Sequence, residues 1–333
     1  MHPALQGIVT IVLGVGGCLA YYYFSNIFLD KVLFPARGPN AGRNINRANM
    51  IRPWLFLFPA LFVLGLYLAY PVVETFRLSV TDRELDGAFV GGANYSQMFA
   101  EPKFWEAMRN NMLWLIIVPA FSTAFGLLAA QLTDRISWGN IAKSLIFMPM
   151  AISFVGAAVI WKLVYDVRPV DTTQIGILNA FLMALGRDEP VTFLTIPFWN
   201  NFFLMIVLIW IQTGFAMVIL SAALRGIPEE TVEAAIVDGA NPFQIFFKIK
   251  VPQIMGTIVV VWTTITIVVL KVFDIVFAMT NGQWETQVLA NYMYDKLFRA
   301  NDWGVGSASA MIIMLLVTPI LVWNVYNARK EMK

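Results

Sequence analysis

Seven long apolar stretches dominate this chain: 8–29, 54–76, 113–132, 141–164, 198–224, 256–279 and 305–326. Each can cross roughly 30 Å of hydrocarbon as a helix rising about 1.5 Å per residue. In lipid a spanning segment must be helical or part of a closed barrel, because no solvent satisfies an open backbone group. Composition agrees: 59% of the 333 residues are apolar and 13% are charged, against about 25% charged in a soluble domain. So little polar surface excludes a soluble enzyme, and a net charge of +2 excludes a nucleic-acid partner, which needs a phosphate-neutralising face. One cysteine, Cys18, and one histidine, His2, leave no material for a metal site, an internal disulfide or a His-based triad. The expected fold class is therefore all-α: a polytopic membrane helix bundle of about seven transmembrane helices, surrounded by lipid, with no cofactor and no metal.

Charge sets the expected orientation. The first run lacks a basic leader and a small-residue cleavage site, so it reads as a retained helix rather than a signal peptide. Lys31, Arg37, Arg43, Arg47 and Arg52 follow it. Placing them inside puts 13 basic residues in cytoplasmic segments and 8 or 9 outside, in agreement with the positive-inside rule. The N-terminus is then outside and the C-terminus cytoplasmic, with 1–52 a first helix plus basic linker and 53–333 a six-helix core. Pro59, Pro71, Pro119, Pro149 and Pro319 interrupt the runs, as kinks a bundle tolerates. Segments 81–109 and 165–197 are expected as external loops, with Phe104 and Trp105 as interfacial anchors.

The segment 225–252, RGIPEETVEAAIVDGANPFQIFFKIKVP, falls on the inner side. Pro228 suits a helix start, and Glu229 and Glu230 fall in the first turn, where the dipole favours acids. Gly239 can take the left-handed conformation that ends a helix. Asn241 is a cap for a second helix that begins at Pro242. The product is a short helix, a glycine turn and another short helix. Such a knob can pass force to a soluble partner or lie amphipathically on the bilayer.

The residues of this segment resemble the EAA loop of binding-protein-dependent ABC importer permeases. Glu233-Ala234-Ala235, three residues, Gly239, nine residues, Ile249, one residue, Val251 and Pro252 match its spacing throughout, with Val251 where the family usually has Leu. Thr280-Asn281-Gly282, then Trp303-Gly304 with Gly306, Ala308 and Ala310, look like sugar permeases of the maltose type, and the pattern of 1–60 is similar to the α-glucoside subgroup. The resemblance covers about 50–330 and implies the type I importer fold. It also implies partners: ABC ATPase subunits bound at the loop, a second and different permease subunit, and an extracytoplasmic solute-binding protein delivering a sugar. Glu233 is then the charged contact to the ATPase, Ala234 and Ala235 close-packing positions, Gly239 the angle-setter, and Ile249 and Pro252 the seat of the second helix. No G-x-x-x-x-G-K-[ST] string occurs; the nearest, from Gly139 to Ser144, lacks the second glycine. ATP hydrolysis therefore belongs to partner subunits, and the chain itself is not an enzyme.

For the sugar path, Trp210, Gln212 and Phe215 with Thr213 in the fifth run, and Thr263, Thr264 and Thr266 in the sixth, combine aromatic faces and hydroxyl partners. In the family the matching stretches contribute to the sugar site. Membrane threonines also commonly bond their own helix. Lys271 and Asp274 are spaced to pair on one helical face. Two other readings stand beside this one. A multi-pass membrane enzyme of lipid or glycan transfer would need a catalytic cluster, for which Asp82, Glu84 and Asp86 are the candidates. A self-sufficient carrier would want several acids deep in the spans.

Overall fold

Helices account for most of the described backbone, as lipid requires, but they do not follow the apolar runs. The computed structural model describes residues 3–82, 87–134 and 136–331. Arg83, Glu84, Asp86, Arg135, His2 and Lys333, which entered the charge and enzyme readings, lie outside them. Two compact units emerge, Met1–Glu74 and Thr75–Lys333.

In the first unit, α1 (Pro3–Phe28) and α2 (Ala41–Leu64) are joined by a π turn and a short link. Tyr21 and Tyr22 on α1 donate to the carbonyls of Leu55 and Phe56 on α2, at 2.9 and 3.2 Å. Arg52 pairs with Asp30 at 2.6 Å. Nearly every side chain of α1 is exposed, the mark of an all-round apolar helix whose neighbour is lipid. Helix α2 begins well before the apolar run at 54, so Arg43, Arg47 and Arg52 ride on helix rather than on a loop. Hydropathy locates the lipid-immersed part of a helix and is blind to its polar extension. α2 continues through a π turn into α3 (Tyr70–Ser79) without a break.

The second unit has a small antiparallel hairpin, β1 (Thr81–Asp82) and β2 (Ala88–Phe89), with Thr81 opposite Phe89. Then come α4 (Ala93–Ala100) and α5 (Pro102–Thr133). Helix α5 continues unbroken past Pro119 and starts eleven residues before the apolar run. Phe104 is consequently no interfacial anchor: it is fully buried with Met98, Leu289 and Tyr292 in a satellite core, while its neighbour Trp105 is exposed.

The run 141–164 is not one span. α6 (Gly139–Phe147) ends in a 3-10 turn, Met148–Ala151, and α7 (Phe154–Val164) leaves at 105°. Pro149 has no N–H to continue the ladder, and Ser153 accepts from the Gly156 amide at 3.1 Å, giving α7 its own cap. Proline here ends a helix rather than kinking it. The short α8 (Ile177–Ala184) lies in the 165–197 segment.

α9 (Trp199–Arg225) is the central helix, packed along α5. A Cβ on Gly126 of α5 would strike Ala216, and one on Gly214 would lie 2.7 Å from the Ile146 carbonyl of α6. Glycine at these two positions lets three backbones meet. After α9 come α10 (Glu229–Val237), then a rod of α11 (Pro242–Gln244), a π turn and α12 (Val251–Gln253), bent by 71° from α13 (Met255–Leu270). The run 256–279 is also interrupted: α13 stops at Leu270 and α14 (Asp274–Met279) begins afresh, with Asp274 in its first turn. Lys271 therefore sits in the break after α13 while Asp274 opens α14, and the two form no ion pair. α15 (Leu289–Tyr294) and the long α16 (Trp303–Glu331) complete the bundle. Among the described residues, five helices are long and apolar enough to span, or seven if each bent pair crosses once.

Candidate functional site: the coupling loop and the cavities above it

The knob at 225–252 is built as its residues dictate. Pro228 caps α10, with Glu229 and Glu230 in the first turn. At its end Gly239 has φ +79°. Its amide donates to the Ile236 carbonyl at 3.0 Å, and the Ala240 amide reaches back to Ala235 at 2.9 Å. That pair of bonds is the Schellman arrangement, which satisfies the last carbonyls and needs a left-handed residue. Two residues later, Asn241 and Gln244 close a reciprocal capping box at 2.9 Å each way. Two caps back to back fix the angle between the helices.

One side of the knob faces the bundle and the other faces nothing. Ala235, Ile245 and Ile254 are buried, and Ile249 is half-buried. Glu233, Ala234, Gly239 and Pro252 are exposed, as are Ile236, Val237, Phe243 and Phe247, with Val237 at 86%. Glu233 has no hydrogen bond or ion pair among the described residues. Small and apolar side chains thus form an exposed patch beside an unpaired carboxylate. Of the six loop residues singled out from sequence, four are on this open face; Ala235 and Ile249 pack inward.

Above the knob, Gln212 on α9 is nearly buried and lines a cavity of about 430 Å³ with Met150, Ser153, Phe154 and Asp274. A second cavity of about 320 Å³ shares Phe154 and Asp274 and adds Lys271. Neither Lys271 nor Asp274 has a partner among the described residues. Both charged residues stand where the run 256–279 is broken, beside these two cavities. Trp210 faces elsewhere. It stacks edge-on to Trp161 at 5.8 Å and lines an apolar cavity of about 820 Å³ with Phe121, Phe125 and Thr213. Phe215 packs against the core. Thr263 and Thr266 are buried, and their hydroxyls donate to carbonyls one turn back, Val259 and Val260 for the first and Trp262 for the second. Ser153 and Phe154 were not anticipated; the signal was there, as a proline followed four residues later by a capping serine.

At the end opposite the knob, the segment 280–287 is held in an unusual shape. Asn281, Trp284 and Glu285 all have positive φ. Asparagines grip its backbone: Asn110 donates to the carbonyls of Glu285 and Gln287, both at 2.8 Å, Asn201 to Glu285 at 3.1 Å and Asn200 to Trp284. Gly304 sits where a Cβ would lie 2.6 Å from the Asn94 side chain. The Thr280-Asn281-Gly282 and Trp303-Gly304 strings thus serve close packing, the first under the asparagines and the second against Asn94.

Residues 122–332 match the family described as the binding-protein-dependent transport system inner membrane component. An alpha-glucoside transport system permease protein of Rhizobium meliloti is 62% identical, covering 99% of both chains. An osmoprotective compounds uptake permease protein of Synechocystis is 47% identical over 84% of this chain and 99% of its own. In fold, a chain of a bacterial ABC transporter that imports the acidic polysaccharide alginate superposes with a TM-score of 0.73, covering 87% of this chain and 99% of that one at 20% identity. A family match across more than half the residues, with relatives this similar along their whole length, gives a plain result: the chain belongs to the binding-protein-dependent transport system inner membrane components, and is a multi-pass permease of the inner membrane rather than an enzyme.

Proposed function

We propose that this permease carries a sugar of the α-glucoside type and is driven by ATPase subunits seated on the 225–252 knob. The observation that carries the reading is the open face of that knob: small and apolar side chains, with Glu233 unpaired, around a turn whose angle is fixed by two caps. A partner groove closing on it displaces the knob as a rigid piece. Because α9 leads into the knob and itself carries Ile211 and Gln212, the displacement reaches the Gln212 cavity along α9. The N-terminus is outside and the C-terminus cytoplasmic. A second, different permease completes the path, and a solute-binding protein delivers from outside. Residues 1–52 are an added helix and linker ahead of the core 53–333.

For the solute we assign Gln212, with Asp274 and Ser153 beside it, as hydroxyl partners and Phe154 as an apolar wall. The cavity volumes lie within the range of small-ligand pockets, roughly 300–1,000 Å³. Trp210 belongs to the neighbouring apolar cavity, and Phe215, Thr263 and Thr266 back the path by packing, the threonine hydroxyls being engaged within their own helix. The similarity to an alpha-glucoside permease supports the substrate class. Reconstitution with the partner subunits and binding protein tests it: α-linked glucosides such as sucrose and trehalose should raise ATP hydrolysis and accumulate, and glucuronate oligomers should not. Equal stimulation by both classes overturns the substrate assignment; no copurifying ATPase overturns the coupling.

A further inference from the structure

At the cytoplasmic end of the bundle, just above the knob, three polar side chains from three helices close on one another. Asp134 caps the end of α5, Lys143 lies midway along α6, and Ser221 is on α9, one turn before its end. Lys143 forms an ion pair with Asp134. Its ammonium also donates to the Ser221 hydroxyl at 2.8 Å, and that hydroxyl donates on to the Asp134 carboxylate, whose oxygens lie at 3.1 and 3.2 Å. Each donor thus meets an acceptor around a closed triangle. Ser221 is 1% exposed, and the Lys143 and Asp134 side chains are 16% and 22% exposed. A surface pair with free water around it is worth little; one this enclosed, with its hydrogen bonds completed through a buried hydroxyl, holds its geometry.

The surroundings are built for stiffness. In the α5–α6 turn Gly139 approaches the Thr133 carbonyl so closely that a Cβ would overlap it. α6 touches α9 through Gly214, and α5 touches it through Gly126. From Ser221 the chain runs one turn to Arg225, whose Nε donates to the Ser221 carbonyl at 3.3 Å, and then through Gly226 and Pro228 straight into α10. Among the described residues this is the one place where the helix entering the knob is tied by charge to another part of the chain.

We infer that the Asp134–Lys143–Ser221 triangle is the joint that passes knob displacement from α9 into the α5–α6 pair, making these three positioning residues for the ATP-driven switch. Without the triangle, α9 can slide along its glycine contacts and the motion stays local. The inference rests on the coupling reading above. α6 leads into the 105° break that carries Ser153 and Phe154, so a tied α6 brings the cavity wall along with the knob.

The test is amide hydrogen exchange on the whole complex in nanodiscs, nucleotide-free and trapped with ATP and vanadate. In the native chain trapping should change exchange by roughly threefold or more both at 225–252 and at 136–147. In Lys143→Met and Ser221→Ala the change should persist at 225–252 and vanish at 136–147. The swapped pair Asp134→Lys with Lys143→Asp should restore it. A merely structural role raises exchange equally in both nucleotide states and leaves the difference intact. An undiminished response at 136–147 in Ser221→Ala overturns the inference, whether or not Lys143→Met folds. A native chain that shows no response at 225–252 overturns instead the coupling reading beneath it.

Discussion

Replacing Gly239 separates conformation from bulk at the turn of the knob. Its φ is +79°, and nothing lies within 4 Å of where a Cβ would project. Steric conflict is thus absent, and the whole cost is backbone: about 1–2 kcal/mol for an L-residue held left-handed, which lowers the population of the correct turn by a factor of roughly 5–30. Asparagine enters this region several-fold more readily than other non-glycine residues, so Gly239→Asn should cost less than about 1 kcal/mol. A β-branched side chain is worst placed there. The expected order is Gly, Asn, Ala, Val, with Gly239→Val inserting normally and abolishing transport. Two readings follow the series: exchange of the Ala240 amide, which is bonded across the turn to Ala235, and affinity of the ATPase subunits for the permease in nanodiscs. If Gly239→Ala outperforms the larger Gly239→Asn in amide protection, side-chain volume and not the left-handed turn sets the geometry, and the reasoning fails. Normal uptake from Gly239→Val would refute the lever itself.

Further expectations concern the frame around the knob. Gly214→Ala presses a methyl against the backbone of Ile146 and Phe147, at 2.7 and 2.9 Å; with no side chain able to give way, it should destabilise by about 1–3 kcal/mol, visible as lower folded yield and melting temperature. Asn110→Ala removes the side-chain donor to the Gln287 carbonyl and leaves that of Glu285 to Asn201 alone; it should cost about 1–3 kcal/mol, read as faster proteolysis of 280–287. Burial, with the Glu101 carboxylate as hydrogen-bond partner, raises the Tyr292 pKa above its ordinary value. The folded chain then holds the phenolic proton more tightly than the unfolded one. The Tyr292 contribution to stability is accordingly flat below about pH 10 and falls as pH rises beyond it; thermal unfolding from neutral to strongly alkaline pH should show a decline that is smaller in Tyr292→Phe than in the native chain.

The sequence was enough for whatever depends on local chemistry or on lipid as solvent. Apolar run length required membrane helices, because an unpaired backbone group has no alternative there. The knob was readable down to single caps, since Gly239, Asn241 and Pro242 act within a few residues of themselves. Runs 141–164 and 256–279 look like continuous spans because hydropathy averages over a break; whether Pro149 bends a helix or ends it depends on Ser153 finding a cap and on α9 leaving room beside Gly214. Phe104 looked like an anchor until α5, extending outward, carried it into a second core against Tyr292. The pairing expected of Lys271 and Asp274 presumed one helix where there are two. The joint of Asp134, Lys143 and Ser221 joins residues 78 and 87 positions apart, and no spacing rule could announce it. Contacts of that kind exist only once three backbones have met through glycine, so they belong to the packed bundle and not to any stretch of the chain.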